Sequence, residues 1–118
     1  MSKYVNATDQ IWDTAEVVGH KMERCVLWPG EHEVFTGLFR MPAGMRLPLH
    51  HHPEWVQILV MEGKMQVEMK GAEPRVVEQG GYYFVEPGDS HVEMAVEDTV
   101  VLVVAQVSDA ARAVAPAP

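Results

Sequence analysis

Closely spaced glycine and proline residues are the feature that most restricts how this chain can fold. Turn-forming clusters recur along it, and they include Pro29-Gly30, Pro42-Ala43-Gly44, Glu62-Gly63, Gly80-Gly81 and Pro87-Gly88-Asp89. Glycine adopts backbone conformations that other residues avoid, and proline lacks the amide donor that a helix or an inner strand needs. The segments between these clusters are too short for most helices, so the sequence predicts a fold built of short strands.

Seven segments between the turns have the composition of strands. In the clearest one, Met65, Val67 and Met69 alternate with charged or polar residues, the pattern of a strand buried on one face. The predicted strands are Val34 to Met41, Val56 to Met61, Lys64 to Met69, Arg75 to Glu78, Tyr82 to Val85, His91 to Val96 and Thr99 to Val107. Seven antiparallel strands with no helical pattern between them predict an all-β fold, a small β-sandwich or β-barrel.

The two ends of the chain differ from this pattern. Thr8 to Val18 is the only segment predicted to form a helix, capped by Thr8 or Asp9. Residues 108–118 are rich in alanine and proline and are predicted to be a flexible tail. We therefore expect an N-terminal strand or extension packing on the barrel at 1–33, a core at 34–107 and the tail.

The segment Val100 to Val104 is apolar at every position, unlike the alternating strands. Such a run indicates a strand covered on both faces, in part by another subunit. An uncovered apolar surface or sheet edge promotes aggregation in a monomer of this size. We therefore expect a homodimer that buries this surface.

The charge balance excludes two classes of partner. Nine basic residues against 17 acidic ones give a net charge of −8, which repels nucleic-acid phosphates and anionic lipid surfaces. No apolar run approaches the roughly 18 residues that a membrane helix needs. The single cysteine, Cys25, cannot form an internal disulfide, and the N-terminus lacks the apolar segment of a signal peptide. We expect a cytoplasmic protein with neither nucleic-acid nor membrane partners.

Three of the six histidines are consecutive: His50, His51 and His52. In an extended segment the side chains alternate, so His50 and His52 share one face while His51 points the other way. Two imidazoles at this spacing can present nitrogen ligands to one metal ion, with a third ligand from elsewhere in the sheet. Solvated histidines at a strand end are the alternative interpretation of this spacing.

Two longer patterns resemble the motifs of the cupin family. Gly44 is followed after five residues by the three histidines and later by Glu62-Gly63, as in the first cupin motif. The segment from Gly80 to His91, with Pro87-Gly88-Asp89 before the histidine, is similar to the second motif. Both patterns occur in the usual order, and the resemblance extends over Val34 to Val107.

The resemblance implies a cupin jelly-roll β-barrel, generally a homodimer, that holds a divalent metal ion in its interior. By their place in the motifs, the metal ligands are His50, His52 and His91. Cupins usually add a carboxylate from the first motif, and here Val56 and Gln57 stand at its place. Gln57 either contributes a neutral amide oxygen to the metal or points away and hydrogen-bonds a neighbouring strand.

A three-histidine centre favours an anionic or carbonyl substrate, because neutral imidazoles leave the double charge of the metal uncompensated. With Gln57 weakly bound or uninvolved, adjacent coordination positions stay open. Similar three-histidine cupins cleave β-diketones and dihydroxyacetophenones with O₂ and Fe²⁺. The predicted function is therefore a non-haem oxygenase acting on a small carbonyl or enol, with iron as the expected metal and Mn, Ni, Co, Cu or Zn as alternatives. A non-oxidative isomerase or lyase acting on a sugar acid, and a sensor without turnover, stay open.

Two charged residues are candidates for catalytic roles. Glu93 lies two residues after His91 and shares its face of the strand, so it can act as a general base or as the missing carboxylate ligand. Arg40 can pair with a substrate carboxylate or enolate. An exposed position on a β-strand is the alternative for each of them.

Overall fold

The computed structural model describes residues 2–107 and contains ten strands in two antiparallel sheets that enclose one core. The six-stranded sheet contains, in spatial order, β1 (Asp13–Val17), β2 (His20–Pro29), β3 (Val34–Met41), β10 (Thr99–Gln106), β5 (Val56–Glu62) and β8 (Tyr82–Val85). The four-stranded sheet contains β4 (Arg46–His50), β9 (His91–Ala95), β6 (Lys64–Met69) and β7 (Arg75–Glu78). This arrangement confirms the predicted all-β class.

The seven predicted strands are all present. β3, β6, β7 and β8 have the predicted bounds, and β5, β9 and β10 differ from them by one residue at the C-terminal end. The first 33 residues add β1 and β2 to the six-stranded sheet, and β4 carries the first of the three consecutive histidines. The predicted tail at 108–118 lies outside the described residues. Over the part of the chain that the structure describes, no helix is long and apolar enough to cross a membrane.

The helix predicted over Thr8 to Val18 is wrong. Only a single 3-10 turn forms, at Ala7–Asp9, and the later residues form β1, which pairs with β2. The two-residue turn Val18-Gly19 has positive φ at both positions, 48° and 81°, the geometry that joins twisted strands in a tight hairpin. Ala15 and Val17 are buried with a period of two. Sheet pairing therefore overrides the local capping signal at this end of the chain.

The core lies between the two sheets and is built from alternate residues of each strand. Along β10, Val101, Val103 and Ala105 are buried, and the residues between them lie half-buried on the outer face. Burying a large apolar side chain stabilises a fold by about 1.5–3 kcal/mol. On β9, two of the three inward residues are ionisable instead: His91 is 0% exposed and Glu93 is 3% exposed. Buried ionisable groups need partners, so β9 indicates where a functional site lies.

The outer face of the six-stranded sheet carries an apolar surface. Leu38, Leu102, Leu59 and Tyr82 are neighbours in register across four strands. Tyr82 is 62% exposed, and Leu102 is only half-buried. Within one chain, the apolar segment of β10 is therefore covered on its inner face and left partly open on its outer face.

The homodimer stays a prediction, and we expect this outer face to form the interface between the two chains. Light scattering at micromolar concentration is expected to give the mass of two chains. Leu102→Glu is expected to give the mass of one, because it places a charge at the centre of the apolar surface. Val76→Glu is a matched control, since Val76 is also an exposed apolar residue but lies on the four-stranded sheet. A stable monomer of the unchanged protein would contradict the prediction.

Candidate metal centre

Two of the histidines come from paired positions on β4 and β9. His50 ends β4 and lies opposite His91, the first residue of β9, and their ring centroids are 4.2 Å apart. Leu47, three residues before His50, also faces the core, and the register of the pairing shifts between the two. Such an irregularity re-aims a side chain, and here it turns His50 towards the interior.

The third histidine, His52, follows β4 and is held by the turn that precedes β9. The amide of Gly88, in that turn, donates a hydrogen bond of 2.8 Å to the carbonyl oxygen of His52. The ring of His52 lies 5.1 Å from that of His50 and 5.4 Å from that of His91, centroid to centroid. His51 is exposed. The structure thus brings together the three histidines of the two motifs and turns His51 outward, as strand alternation predicts.

The Nε2 atoms of all three histidines are buried and have no hydrogen-bond partner among the described residues. The potential ligand atoms of the three rings lie within 4.8 Å of one another. The Nδ1 atom of His50 lies 2.6 Å from the carbonyl oxygen of Pro48, and that of His91 lies 3.3 Å from the carbonyl oxygen of Asp89. Because a carbonyl only accepts, each Nδ1 donates, which leaves a free lone pair on the Nε2 of a neutral ring.

The carboxylate of Glu93 faces the same space. Its Oε1 lies 3.4 Å from Nε2 of His50 and 3.3 Å from Nε2 of His91, distances longer than ordinary hydrogen bonds. The hydroxyl of Tyr83 donates a hydrogen bond to the other oxygen, Oε2. Glu93 is therefore buried among the histidines and does not occupy an exposed strand position.

Burial and neighbouring groups control protonation in the cluster. Burial disfavours the charged form of His52 and the rings of His50 and His91 add to the effect, so its pKa falls to about 4. Burial opposes ionisation of Glu93, but its contacts with His50, His91 and Tyr83 outweigh burial and lower its pKa to about 2. Burial and the Glu93 charge raise the pKa of Tyr83, so its hydroxyl stays a donor. A neutral imidazole and an ionised carboxylate are the forms that bind metal ions.

The charged form of His50, unlike that of His52, is favoured on balance, because of the neighbouring Glu93 carboxylate. Burial alone would lower the pKa of His50, but the contact with Glu93 and the bond to the Pro48 carbonyl raise it. A cation near the Glu93 carboxylate is therefore stabilised even in a buried position.

This donor set fits a divalent metal ion. Three imidazole lone pairs and a carboxylate oxygen converge in a poorly screened interior, where they repel one another unless a cation lies between them. Two ligand atoms bound to a tetrahedral zinc ion with bonds of about 2.1 Å lie about 3.4 Å apart. The distances from Oε1 of Glu93 to the two histidine nitrogens, 3.3 and 3.4 Å, are close to that value.

Gln57 is not brought to the histidines. It lies on β5 between Val56 and Ile58, which are both buried on the inner face, so its side chain points to the outer face. Its neighbours in the sheet are Phe84 and Val104, also on the outer side. The inward position at this point of the first motif holds Val56, which has no ligand atom. The structure therefore does not support the prediction that Gln57 is a metal ligand.

Arg40 also lies away from the histidines. It is exposed on the outer side of β3, whereas its neighbours Phe39 and Met41 point into the core. Its guanidinium forms an ion pair of 2.6 Å with Glu23 and lies 3.7 Å from the centre of the Trp12 ring. It lines a surface cavity of about 610 Å³ to which the three histidines do not contribute. The charge of Arg40 is thus compensated on the outer surface, away from the site for which it was predicted.

Tyr83 is the member of the cluster that sequence reasoning missed. On β8, Tyr83 and Val85 point inward, and Tyr82 and Phe84 point outward. The alternation along β8 is visible in the sequence and indicates a buried tyrosine, whose hydroxyl needs a hydrogen-bond partner. The partner comes from the opposite sheet and cannot be identified from a local pattern.

Solved structures similar to this chain share its fold. An RmlC-like cupin from Shewanella frigidimarina is 18% identical, with a TM-score of 0.75 over 92% of this chain and 94% of that one. A predicted oxalate decarboxylase from Thermotoga maritima is 18% identical, with a TM-score of 0.77 over 90% and 100% of the two chains. The polyketide cyclase RemF from Streptomyces resistomycificus is 23% identical, with a TM-score of 0.77 over 92% and 81%. At these identities, the likeness shows the cupin fold alone.

Family membership follows from a separate comparison. No curated protein sequence matches the chain. The family model of the ChrR cupin-like domain matches residues 2–108, a range that contains both histidine motifs and the ten strands of the described residues. Because the match extends over nearly the whole sequence, this chain belongs to the family of ChrR cupin-like domains.

Proposed function

We propose that this chain is a metal-dependent enzyme in which His50, His52 and His91 hold one divalent transition metal ion, and that it oxygenates a small carbonyl or enol compound. The observation that carries the proposal is the set of three buried Nε2 atoms without hydrogen-bond partners among the described residues. Leaving a buried polar atom unpaired costs about 1–3 kcal/mol, so three of them around one point favour a shared ligand.

The donor set supports a transition metal. Imidazole nitrogen suits Fe, Cu, Ni and Zn, whereas calcium and magnesium prefer sites built of oxygen. When bound, such a metal supplies Lewis-acid chemistry and, in the case of iron, redox chemistry towards O₂. Three protein nitrogens, even with the Glu93 carboxylate beside them, leave positions on an octahedral ion for a chelating enolate, which is the reason for assigning a carbonyl or enol substrate.

The residues around the centre orient the ligands and exclude water. The Nδ1 bonds of His50 and His91 to backbone carbonyls fix both rings with Nε2 pointing inward. Leu47 and Val67, both buried, are the neighbours of Glu93 in register on either side of β9. Apolar walls strengthen every electrostatic interaction at the centre, because they keep the local dielectric constant low.

Oxygen uptake by the iron-loaded protein tests the proposal. The chain is loaded with Fe²⁺ without oxygen and then given O₂ with β-diketones, hydroxyketones or uronates. We expect one O₂ consumed for each diketone or hydroxyketone cleaved. His52→Ala is expected to abolish the uptake, and His51→Ala is the matched control that keeps it. Consumption of a uronate without O₂ uptake would contradict the oxygenase activity and indicate an isomerase or lyase.

A metal-binding sensor or binding module is the second candidate, and one observation favours it. The side chains around the centre are closely covered: that of His50 is 9% exposed, that of His91 0% and that of Glu93 4%. A metal closed off by protein ligands regulates or stabilises a fold without turnover. Nitric oxide distinguishes the two candidates, because it binds ferrous iron only at an open position. A spectroscopic adduct supports the enzyme, and its absence supports the binding module.

A further inference from the structure

We infer that Glu93 supplies the fourth protein ligand of the metal centre and that Tyr83 positions its carboxylate for this role. The inference rests on the proposed three-histidine centre and adds to it a ligand that neither histidine motif contributes. The two residues come from opposite sheets, Glu93 from β9 and Tyr83 from β8, so their hydrogen bond spans the interior.

The Glu93 carboxylate lies beside two of the three histidine nitrogens. Oε1 of Glu93 lies 3.4 Å from Nε2 of His50 and 3.3 Å from Nε2 of His91. When the two rings are neutral, as metal binding requires, each Nε2 is an acceptor, and a carboxylate oxygen is an acceptor too. Three acceptors in contact repel one another, and a cation between them converts the repulsion into attraction. An ion bound by the histidines is therefore also within reach of Oε1.

Strand β5, which follows the histidines of the first motif, brings no carboxylate to the interior. In the first motif, the inward side chain after the histidines is Val56, and Gln57 faces the other side of the sheet. Neither provides a charged oxygen to the interior. Glu93 lies on the inward face of β9, two residues after His91, and is 3% exposed. Among the buried residues that the structure describes, Glu93 is the only acidic one, so it is the carboxylate available to an ion held by the histidines.

Tyr83 holds the Glu93 carboxylate in one orientation. Its hydroxyl donates to Oε2, so only Oε1 of Glu93 is left facing the histidine nitrogens. A carboxylate held in this way binds a metal through one oxygen and cannot rotate into a two-oxygen mode without losing a buried hydrogen bond. Partners that orient a metal ligand typically change metal affinity by about 10–100-fold when they are removed.

Metal titration of matched variants tests the inference. Co²⁺ is titrated into metal-free protein in competition with a chelating dye, for the unchanged chain, Glu93→Gln, Tyr83→Phe and Tyr82→Phe. We expect affinity to fall by about 10–100-fold in Tyr83→Phe, as for other partners that orient a ligand, and by at least as much in Glu93→Gln. Tyr82→Phe removes the same atom from the exposed neighbour and is expected to leave the affinity unchanged.

The visible spectrum of bound Co²⁺ separates positioning from a general loss of stability. A changed ligand geometry shifts the cobalt bands even at saturation, whereas a merely structural role of Tyr83 does not. If Tyr83→Phe fails to fold, the isosteric Glu93→Gln still tests the fourth ligand. Wild-type affinity and spectrum in both variants would overturn the inference and leave the three-histidine centre intact. An unchanged chain that binds no metal would overturn the proposed function and the inference together.

Discussion

His91→Ala is expected to lose its stoichiometric metal, with an affinity more than about 100-fold below that of the unchanged chain. Removing a residue that merely orients a metal ligand typically lowers metal affinity by about 10–100-fold. We expect a larger loss here, because His91 is itself a ligand. Its side chain is fully buried, and its Nε2 is one of three that converge without a partner among the described residues. Elemental analysis after dialysis against metal-free buffer measures the result, and His50→Ala and His52→Ala are expected to behave alike.

His51→Ala is the matched control, because this side chain is exposed and points away from the cluster. It is expected to retain one metal ion per chain. Since His91→Ala also leaves a hole in the core, the far-ultraviolet spectrum of each metal-free variant must show the folded sheets. Full metal content in all three buried-histidine variants would place the metal site elsewhere.

Gly63→Ala is expected to be the most damaging small substitution in the fold, lowering the free energy of unfolding by about 2–5 kcal/mol. Gly63 joins β5 to β6 with φ of +87°. A Cβ atom there would lie 2.4 Å from the carbonyl oxygen of Asp98 and 2.8 Å from Cα of Thr99, both backbone atoms. Thr99 also accepts a hydrogen bond from the amide of Lys64 through its hydroxyl, so moving it disturbs both sheets.

Gly71→Ala provides the control for backbone strain. Gly71 has nearly the same φ, +83°, but a Cβ atom there would meet nothing within 4 Å. Its substitution therefore adds only the left-handed strain, about 1–2 kcal/mol. Urea unfolding of the three proteins measures the difference. Equal destabilisation by the two alanines would show that the contact with Asp98 and Thr99 has no effect of its own.

The strands could be predicted because their signals are local. Turn residues and the alternation of apolar and polar side chains identify β3, β6, β7 and β8 without any knowledge of the strands they pair with. The region that became β1 carries a helix-capping signal, and only its pairing with β2 decides its structure. Local patterns therefore fail where a long-range pairing determines the outcome.

The histidine cluster was predictable for a different reason. Strand alternation brings His50 and His52 to one side, and the two motifs add His91. The roles of Gln57 and Arg40 depend on which face of the six-stranded sheet points inward. A shift of one residue along a strand exchanges its inward and outward side chains. The bond between Tyr83 and Glu93 joins two sheets, so it depends on how the sheets pack.

Anomalous diffraction from a crystal grown with Co²⁺ or Zn²⁺ tests the central claim most directly. The data are collected on both sides of the absorption edge of the metal. We expect one anomalous-difference peak per chain, about 2.1 Å from the Nε2 atoms of His50, His52 and His91 if the ion is zinc. A chain that crystallises with no peak between these three nitrogens, or with its only peak elsewhere, would contradict the account.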